Sequence, residues 1–105
     1  LLALNGDEVR VAYDGVSAFS VAREFQPEIA LLDVGMPRMD GYEIARRLRE
    51  DPQTRHMILI AVTGWGQADD RRRSKEAGFD YHLVKPVDPA ALERLLETIR
   101  AKDAV

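Results

Sequence analysis

Three polar side chains interrupt or end runs of apolar residues in this chain. Asp33 stands inside Ile29-Ala30-Leu31-Leu32-Asp33-Val34, Thr63 ends Met57-Ile58-Leu59-Ile60-Ala61-Val62-Thr63, and Lys85 follows Tyr81-His82-Leu83-Val84. A carboxylate, a hydroxyl and an ammonium held together would suit an incoming phosphoryl group. The carboxylate can attack phosphorus and form an acyl phosphate, while the ammonium and hydroxyl hold the phosphoryl oxygens. Taken singly, each residue has a plainer reading. A strand-end aspartate is more often a cap or turn residue, a lone lysine a surface cation, and a strand-end threonine a hydroxyl bonded to backbone. Their company at the ends of three apolar runs favours the chemical reading.

Those runs must be strands for the three groups to meet. Residues 29–34 and 57–63 are nearly continuous apolar segments, as in strands buried on both faces of a parallel sheet. Residues 8–12 alternate polar and apolar, which predicts a half-buried edge strand. Asp14 offers an N-cap, and Ala18, Val21, Ala22 and Phe25 follow at helical spacing until Pro27. Asp40-Gly41-Tyr42-Glu43 has the pattern of a capping box, after which Ile44, Ala45 and Leu48 line one helix face as far as Asp51-Pro52. Residues 68–77 read as a charged helix with acids early, Arg71, Arg72 and Arg73 later, and Gly78 at its stop. Asp88 and Pro89 open a last helix with a stripe of Leu92, Leu95, Leu96 and Ile99. Strand and helix therefore alternate, which implies a doubly wound α/β domain with helices on both faces of a parallel sheet. Ligand sites in such folds lie beyond the carboxyl ends of the strands. Leu1-Leu2-Ala3-Leu4 before Asn5-Gly6 reads as the last turn of a helix and its left-handed cap. On that reading residues 1–105 are one N-terminally truncated domain lacking a strand and most of a helix. Val9 and Val11 would then have no neighbour, the strand carrying Asp33 would be an exposed apolar edge, and the chain as given would not fold as an ordinary monomer.

Composition narrows the function classes. There is no cysteine, which excludes a disulfide framework, a thiolate metal site and a cysteine nucleophile. The apolar runs fall well short of the roughly 20 residues needed to span a bilayer. No signal-peptide pattern opens the chain. Both observations predict a cytoplasmic domain without membrane contact. Fifteen basic against 18 acidic residues give a net charge of −3, which argues against direct nucleic-acid binding. Arg71, Arg72, Arg73 and Lys75 stand among Asp69, Asp70 and Glu76 and read as a solvated helix face.

The segment Leu31-Leu32-Asp33-Val34-Gly35-Met36-Pro37-Arg38-Met39-Asp40-Gly41 resembles the acceptor segment of response-regulator receiver domains of two-component systems. Val62-Thr63-Gly64 and Leu83-Val84-Lys85-Pro86 resemble that family's two later signatures, at family-like separations of 30 and 22 residues. The resemblance runs from Gly6 to the final helix. It implies a flavodoxin-like three-layer fold with strand order 2-1-3-4-5, the first strand being absent here. It implies that Asp33 takes a phosphoryl group from the phosphohistidine of a histidine kinase or phosphotransfer domain. Thr63 is then the hydroxyl that reads this group, Lys85 the cation that bonds to it, and the peptide before Pro86 is cis. His82 falls at the family's switch position, where the side chain swings as Thr63 moves. Mg²⁺ is the implied cofactor, with the Asp33 carboxylate and the Gly35 carbonyl as ligands. The family's acidic pair at the end of its first strand has no counterpart in this chain, so metal binding is expected to be weak or absent.

The implied output is a downstream protein partner, with a homodimer through the last strand and helix as one arrangement. Gly64-Trp65-Gly66-Gln67 and residues 83–88 resemble receivers attached to hybrid sensor histidine kinases. Trp65 reads as a surface ring or a partner contact, and Met36 and Met39 as packing for the loop around Pro37. Two further readings stand beside this one. A pseudo-receiver would bind partners without taking phosphate. An aspartate-nucleophile phosphohydrolase would need a second acid where Gly35 stands, and no stand-alone enzyme is expected.

Overall fold

The computed structural model describes residues 1–6, 8–12, 14–34, 40–64 and 68–103. Gly35, Met36, Met39, Trp65 and Gly66 lie outside the described residues. Apolar residues that alternate between two faces build the sheet. Its strands among the described residues are β1 (Leu2–Asn5), β2 (Glu8–Val11), β3 (Ile29–Asp33), β4 (Ile58–Thr63) and β5 (Tyr81–Val84), in spatial order β2-β1-β3-β4-β5. Strands β3, β4 and β5 run parallel, with Asp33 opposite Val62 and Thr63 opposite Val84.

The first residues form a strand, not the end of a helix. Strand β1 lies at the centre of the sheet, antiparallel to β2 on one side and to β3 on the other. Gly6 does take the left-handed conformation expected of it, at φ 62°, but in the turn between β1 and β2. The physical reason is pairing. Four residues of helix cannot stabilise themselves, whereas β1 finds ladder partners in Val9–Val11 and Ile29–Leu31. Its alternation also fits, because Ala3 joins one core while Leu2 and Leu4 pack against the other. The expected strand order therefore holds with an antiparallel strand in the first-strand position. The sheet is mixed, and β1 supplies the neighbour expected to be missing beside Val9, Val11 and the strand that carries Asp33.

Helices α1 (Gly15–Phe25), α2 (Gly41–Glu50) and α3 (Ala68–Ala77) cover one face, and α4 (Pro89–Asp103) the other. The first core joins Ala30, Leu32, Leu59 and Ala61 to Ala18, Ala22, Ile44, Leu48 and Ala77. The second joins Ile29, Leu31, Ile60 and Val62 to Ile99, with Leu92, Leu95 and Leu96 packed against it. Helix starts follow the capping residues. The Asp14 carboxylate accepts from Ser17 N at 2.7 Å, and the Asp40 carboxylate from the amides of Tyr42 and Glu43. At the opposite end of the parallel strands, Arg49 binds three segments together. It donates to the carbonyls of Gly78, Arg55 and Met57 at 2.9, 2.6 and 2.5 Å, and to Asp80 Oδ2 at 2.7 Å. Asp80 Oδ2 also accepts from Leu59 N at 2.9 Å, so the pin fixes the entries to β4 and β5.

Candidate functional site

The parallel register of β3, β4 and β5 brings Asp33, Thr63 and Lys85 to one edge. Asp33 ends β3 with its side chain 26% exposed, and its Oδ2 forms an ion pair with Lys85 Nζ. Lys85 follows β5 and is held by its backbone, whose N–H donates to Thr63 O at 2.7 Å. The Lys85–Pro86 peptide is cis. Thr63 ends β4 and is buried at 2% exposure. Its Oγ1 lies 2.8 Å from Nε2 of half-buried His82 in β5. The four residues are thus linked in two pairs, Asp33 with Lys85 and Thr63 with His82.

The turn after Asp33 is set by packing. Val34 N donates to Val62 O at 3.0 Å, which extends the strand past Asp33. Gly41 lies directly against Val34, and a Cβ there would fall 2.9 Å from Val34 Cα. The start of α2 can approach this turn only without a side chain. Beside Asp33, Lys85 supplies the positive charge of this edge. The Leu1 nitrogen donates to Ala12 O at 2.8 Å and continues the β1–β2 pairing.

The described donors do not fit a magnesium ion. No group of three or more His, Cys, Asp or Glu able to hold a metal occurs among the described residues. Asp33 is already paired with an ammonium. Mg²⁺ is held by one or two carboxylates with waters and phosphate oxygens in octahedral geometry. Gly35, the other expected ligand, lies outside the described residues.

Ser74 carries no signal in the sequence pattern comparable to that of the strand-end residues. It is 2% exposed on α3, and its Oγ has no hydrogen-bond partner among the described residues. It lines a groove of about 280 Å³ with Lys75, Phe79, Asp80, Tyr81 and His82, so it faces the same space as the residue bonded to Thr63. Ser74 and Ala77 share the buried side of a charged helix, and their spacing of three was the available signal. Of the arginines read as solvated, Arg72 and Arg73 are exposed. Arg73 also lies 4.8 Å from the centroid of the Tyr42 ring. No helix among the described residues is long and apolar enough to cross a membrane.

Comparison with known proteins agrees with this geometry. The family model for the response regulator receiver domain matches residues 1–97. The chain is 41% identical over 85 residues to the response regulator PleD of Caulobacter vibrioides, covering 81% of this chain and 19% of PleD. It is 31% identical to the polar-differentiation response regulator DivK of Brucella anthropi, over 96% of this chain and 80% of DivK. The chain therefore spans less than a fifth of PleD and most of DivK. Among solved structures it resembles the chemotaxis protein CheY4 of Vibrio cholerae, with a TM-score of 0.82 and 29% identity over 89% of this chain and 78% of that one. It also resembles the receiver domain of the sensor histidine kinase PA1611 of Pseudomonas aeruginosa, which was solved with a magnesium ion in its active-site cleft. That match has a TM-score of 0.75 and 30% identity, over 85% of this chain and 73% of that one. The chain belongs to the response-regulator receiver domains of two-component signalling systems, with their flavodoxin-like fold.

Proposed function

We propose that this receiver is a phospho-acceptor of a phosphorelay, and that Asp33 carries the phosphoryl group. The observation that supports this most is the Asp33–Lys85 ion pair beside the buried Thr63 hydroxyl at the ends of three parallel strands. In the transfer a carboxylate oxygen of Asp33 forms a bond to phosphorus. The P–N bond to the donor histidine breaks, and its electron pair stays on the imidazole, which leaves and takes up a proton. Lys85 then shifts from the carboxylate to a phosphoryl oxygen and offsets the added negative charge. Thr63 donates its hydroxyl proton to another phosphoryl oxygen, and its movement is passed to His82 in β5. Receiver domains generally bind Mg²⁺ at the active site. The described donors here do not fit it.

The partners on this reading are a histidine kinase or phosphotransfer domain upstream and a protein bound around β5 and α4 downstream, where a second copy is one candidate. The test is acetyl phosphate with Mg²⁺ in the buffer, read by intact mass. One phosphoryl group should add to the wild-type chain and none to Asp33→Asn; equal labelling of both would refute the assignment. A pseudo-receiver that binds partners without phosphate is the second reading, favoured by the poor metal donor set, and absence of labelling in both proteins would support it.

A further inference from the structure

Strand β2 is the outer strand on one side of the sheet, and its pairing with β1 fixes which backbone groups face outward. Leu1 and Ala12 exchange both backbone hydrogen bonds, at 2.8 and 2.9 Å. Opposed residues of an antiparallel pair alternate between hydrogen-bonded and non-hydrogen-bonded. The register Ala3↔Arg10 and Asn5↔Glu8 therefore turns the N–H and C=O of Glu8 and Arg10 toward β1. The N–H and C=O of Val9 and Val11 point away from the sheet, where no strand among the described residues meets them. Such an edge is a template for a further strand.

The charges along this edge select what that strand can be. Glu8 and Arg10 stand two residues apart and share the face of the sheet that carries Ala3. Both are exposed, and neither belongs to an ion pair among the described residues. The Arg10 guanidinium lies 5.3 Å from the centroid of the Phe25 ring in α1, which keeps it on that face. Two copies related by a two-fold axis must set outward-facing residues of β2 opposite one another. One register that does so places Glu8 against the partner's Glu8, and another places Arg10 against the partner's Arg10. A third places Val9 against the partner's Val9 and each Glu8 opposite the partner's Arg10. In that register the two Val9 residues exchange both backbone bonds. The charges then fall at non-hydrogen-bonded positions, where opposed side chains lie closest. Like charges directly opposite destabilise a pair of strands and unlike charges stabilise it, so this edge is complementary to itself in one register.

We propose that the outer edge of β2 binds a second copy of this chain, antiparallel, with Val9 at the two-fold axis and a Glu8–Arg10 pair on either side. The contact joins two five-stranded sheets and closes this edge on both copies. A groove of about 370 Å³ lined by Arg10, Val21, Glu24 and Phe25 leaves room beside the strand for the partner's Glu8. Val11, 49% exposed, gains cover from the added strand. Strand β2 has four residues, so the contact is smaller than a standard protein interface and the dimer is weak and reversible. The edge lies at the opposite end of the strand order from β5, and its pairing does not depend on phosphorylation of Asp33.

The test is sedimentation equilibrium of the whole chain at concentrations up to about 1 mM, beside Arg10→Glu, Glu8→Arg and the double exchange of both. Either single exchange leaves every one of the three registers with like charges opposed, whereas the double exchange restores unlike pairs in the third. The wild type should form a dimer. Each single variant should weaken it by on the order of tenfold or more, and the double variant should return it to within about threefold of the wild type. Recovery in the double variant also separates charge from folding, because that variant too lacks the Arg10 contact with Phe25. A wild type that stays monomeric over this range, single variants that dimerise as the wild type does, or a double variant as weak as the single ones would each overturn the proposal.

Discussion

Replacing Gly41 by alanine tests whether the start of α2 sets the position of the turn after Asp33. The new Cβ would lie 2.7 Å from Val34 Cγ1 and 2.9 Å from Val34 Cα. Carbon atoms that touch without strain sit about 3.5–4.0 Å apart, so one of the two segments must retreat by roughly 0.6 Å or more. Rotating the Val34 side chain can relieve the clash with Cγ1, but no rotation relieves the clash with the backbone. Val34 is also tied to the sheet by its 3.0 Å bond to Val62 O, so the strain falls on the turn and on Asp33 before it. Overpacking of this kind costs about 1–3 kcal/mol. The helix preference for alanine over glycine returns up to about 1 kcal/mol, less at a first helical position. The expected net loss is about 1–2 kcal/mol. Gly15→Ala is the matched control. It is also a first helical residue, but its added Cβ would meet only Ile44 Cδ1 at 3.8 Å, an ordinary van der Waals distance. Urea unfolding of both variants measures the difference, and acetyl phosphate labelling at fixed time measures the effect on Asp33. Gly15→Ala should match or exceed the wild type in stability, and Gly41→Ala should lose both stability and labelling rate. If Gly41→Ala unfolds at the wild-type midpoint and labels at the wild-type rate, the turn is not set by this packing.

Arg49→Ala removes four hydrogen bonds and leaves the Met57 and Gly78 carbonyls and Asp80 without their guanidinium, so it should cost about 3 kcal/mol in urea unfolding. Arg49→Lys should restore only part of that loss, because an ammonium cannot reach three directions as a planar fork does. Ser74→Ala should stabilise the chain by about 1 kcal/mol, since it removes a buried hydroxyl without a partner among the described residues and improves helix preference; a loss of similar size would show that the hydroxyl is bonded. Asp14 and Asp51 have pKa values below the ordinary 3.8, held down chiefly by the Ser17 and Gln53 amides respectively. A depressed carboxylate contributes stability above its unfolded pKa and loses it as pH falls through the folded one. The urea midpoint should therefore drop below about pH 4, and Asp14→Asn, which keeps a capping side chain, should flatten part of that fall.

What the sequence made legible was decided locally, and what it hid was decided at long range. The runs at 29–33 and 58–63 are buried on both faces, and that burial leaves continuous apolar stretches that announce parallel strands. Asp33 and Thr63 stand out because each ends such a run, and Lys85 follows from the same logic in β5. The Asp14, Asp40 and Asp88 caps were equally local, since each carboxylate bonds an amide two or three residues on. Arg49 gave no such signal: it looks like one more cation on an amphipathic helix, and its partners lie 6 to 31 residues away.

Leu1–Leu4 is the instructive failure. Four apolar residues before Asn5-Gly6 satisfy both a helix end and the first arm of a hairpin, because the left-handed glycine serves either. The choice is made by ladder bonds to Val9–Val11 and Ile29–Leu31, which no local pattern encodes. This ambiguity falls unevenly on the site. The side chains proposed to hold a phosphoryl group stand on the parallel strands β3, β4 and β5, where the pattern is strong. The neighbouring position in the sheet is filled here by the antiparallel strand β1, which pairs with β3 through Leu2–Leu4 and Ile29–Leu31. The placement of Asp33, Thr63 and Lys85 can therefore be read from three apolar runs, while the edge beside them depends on the one pairing that the runs leave open.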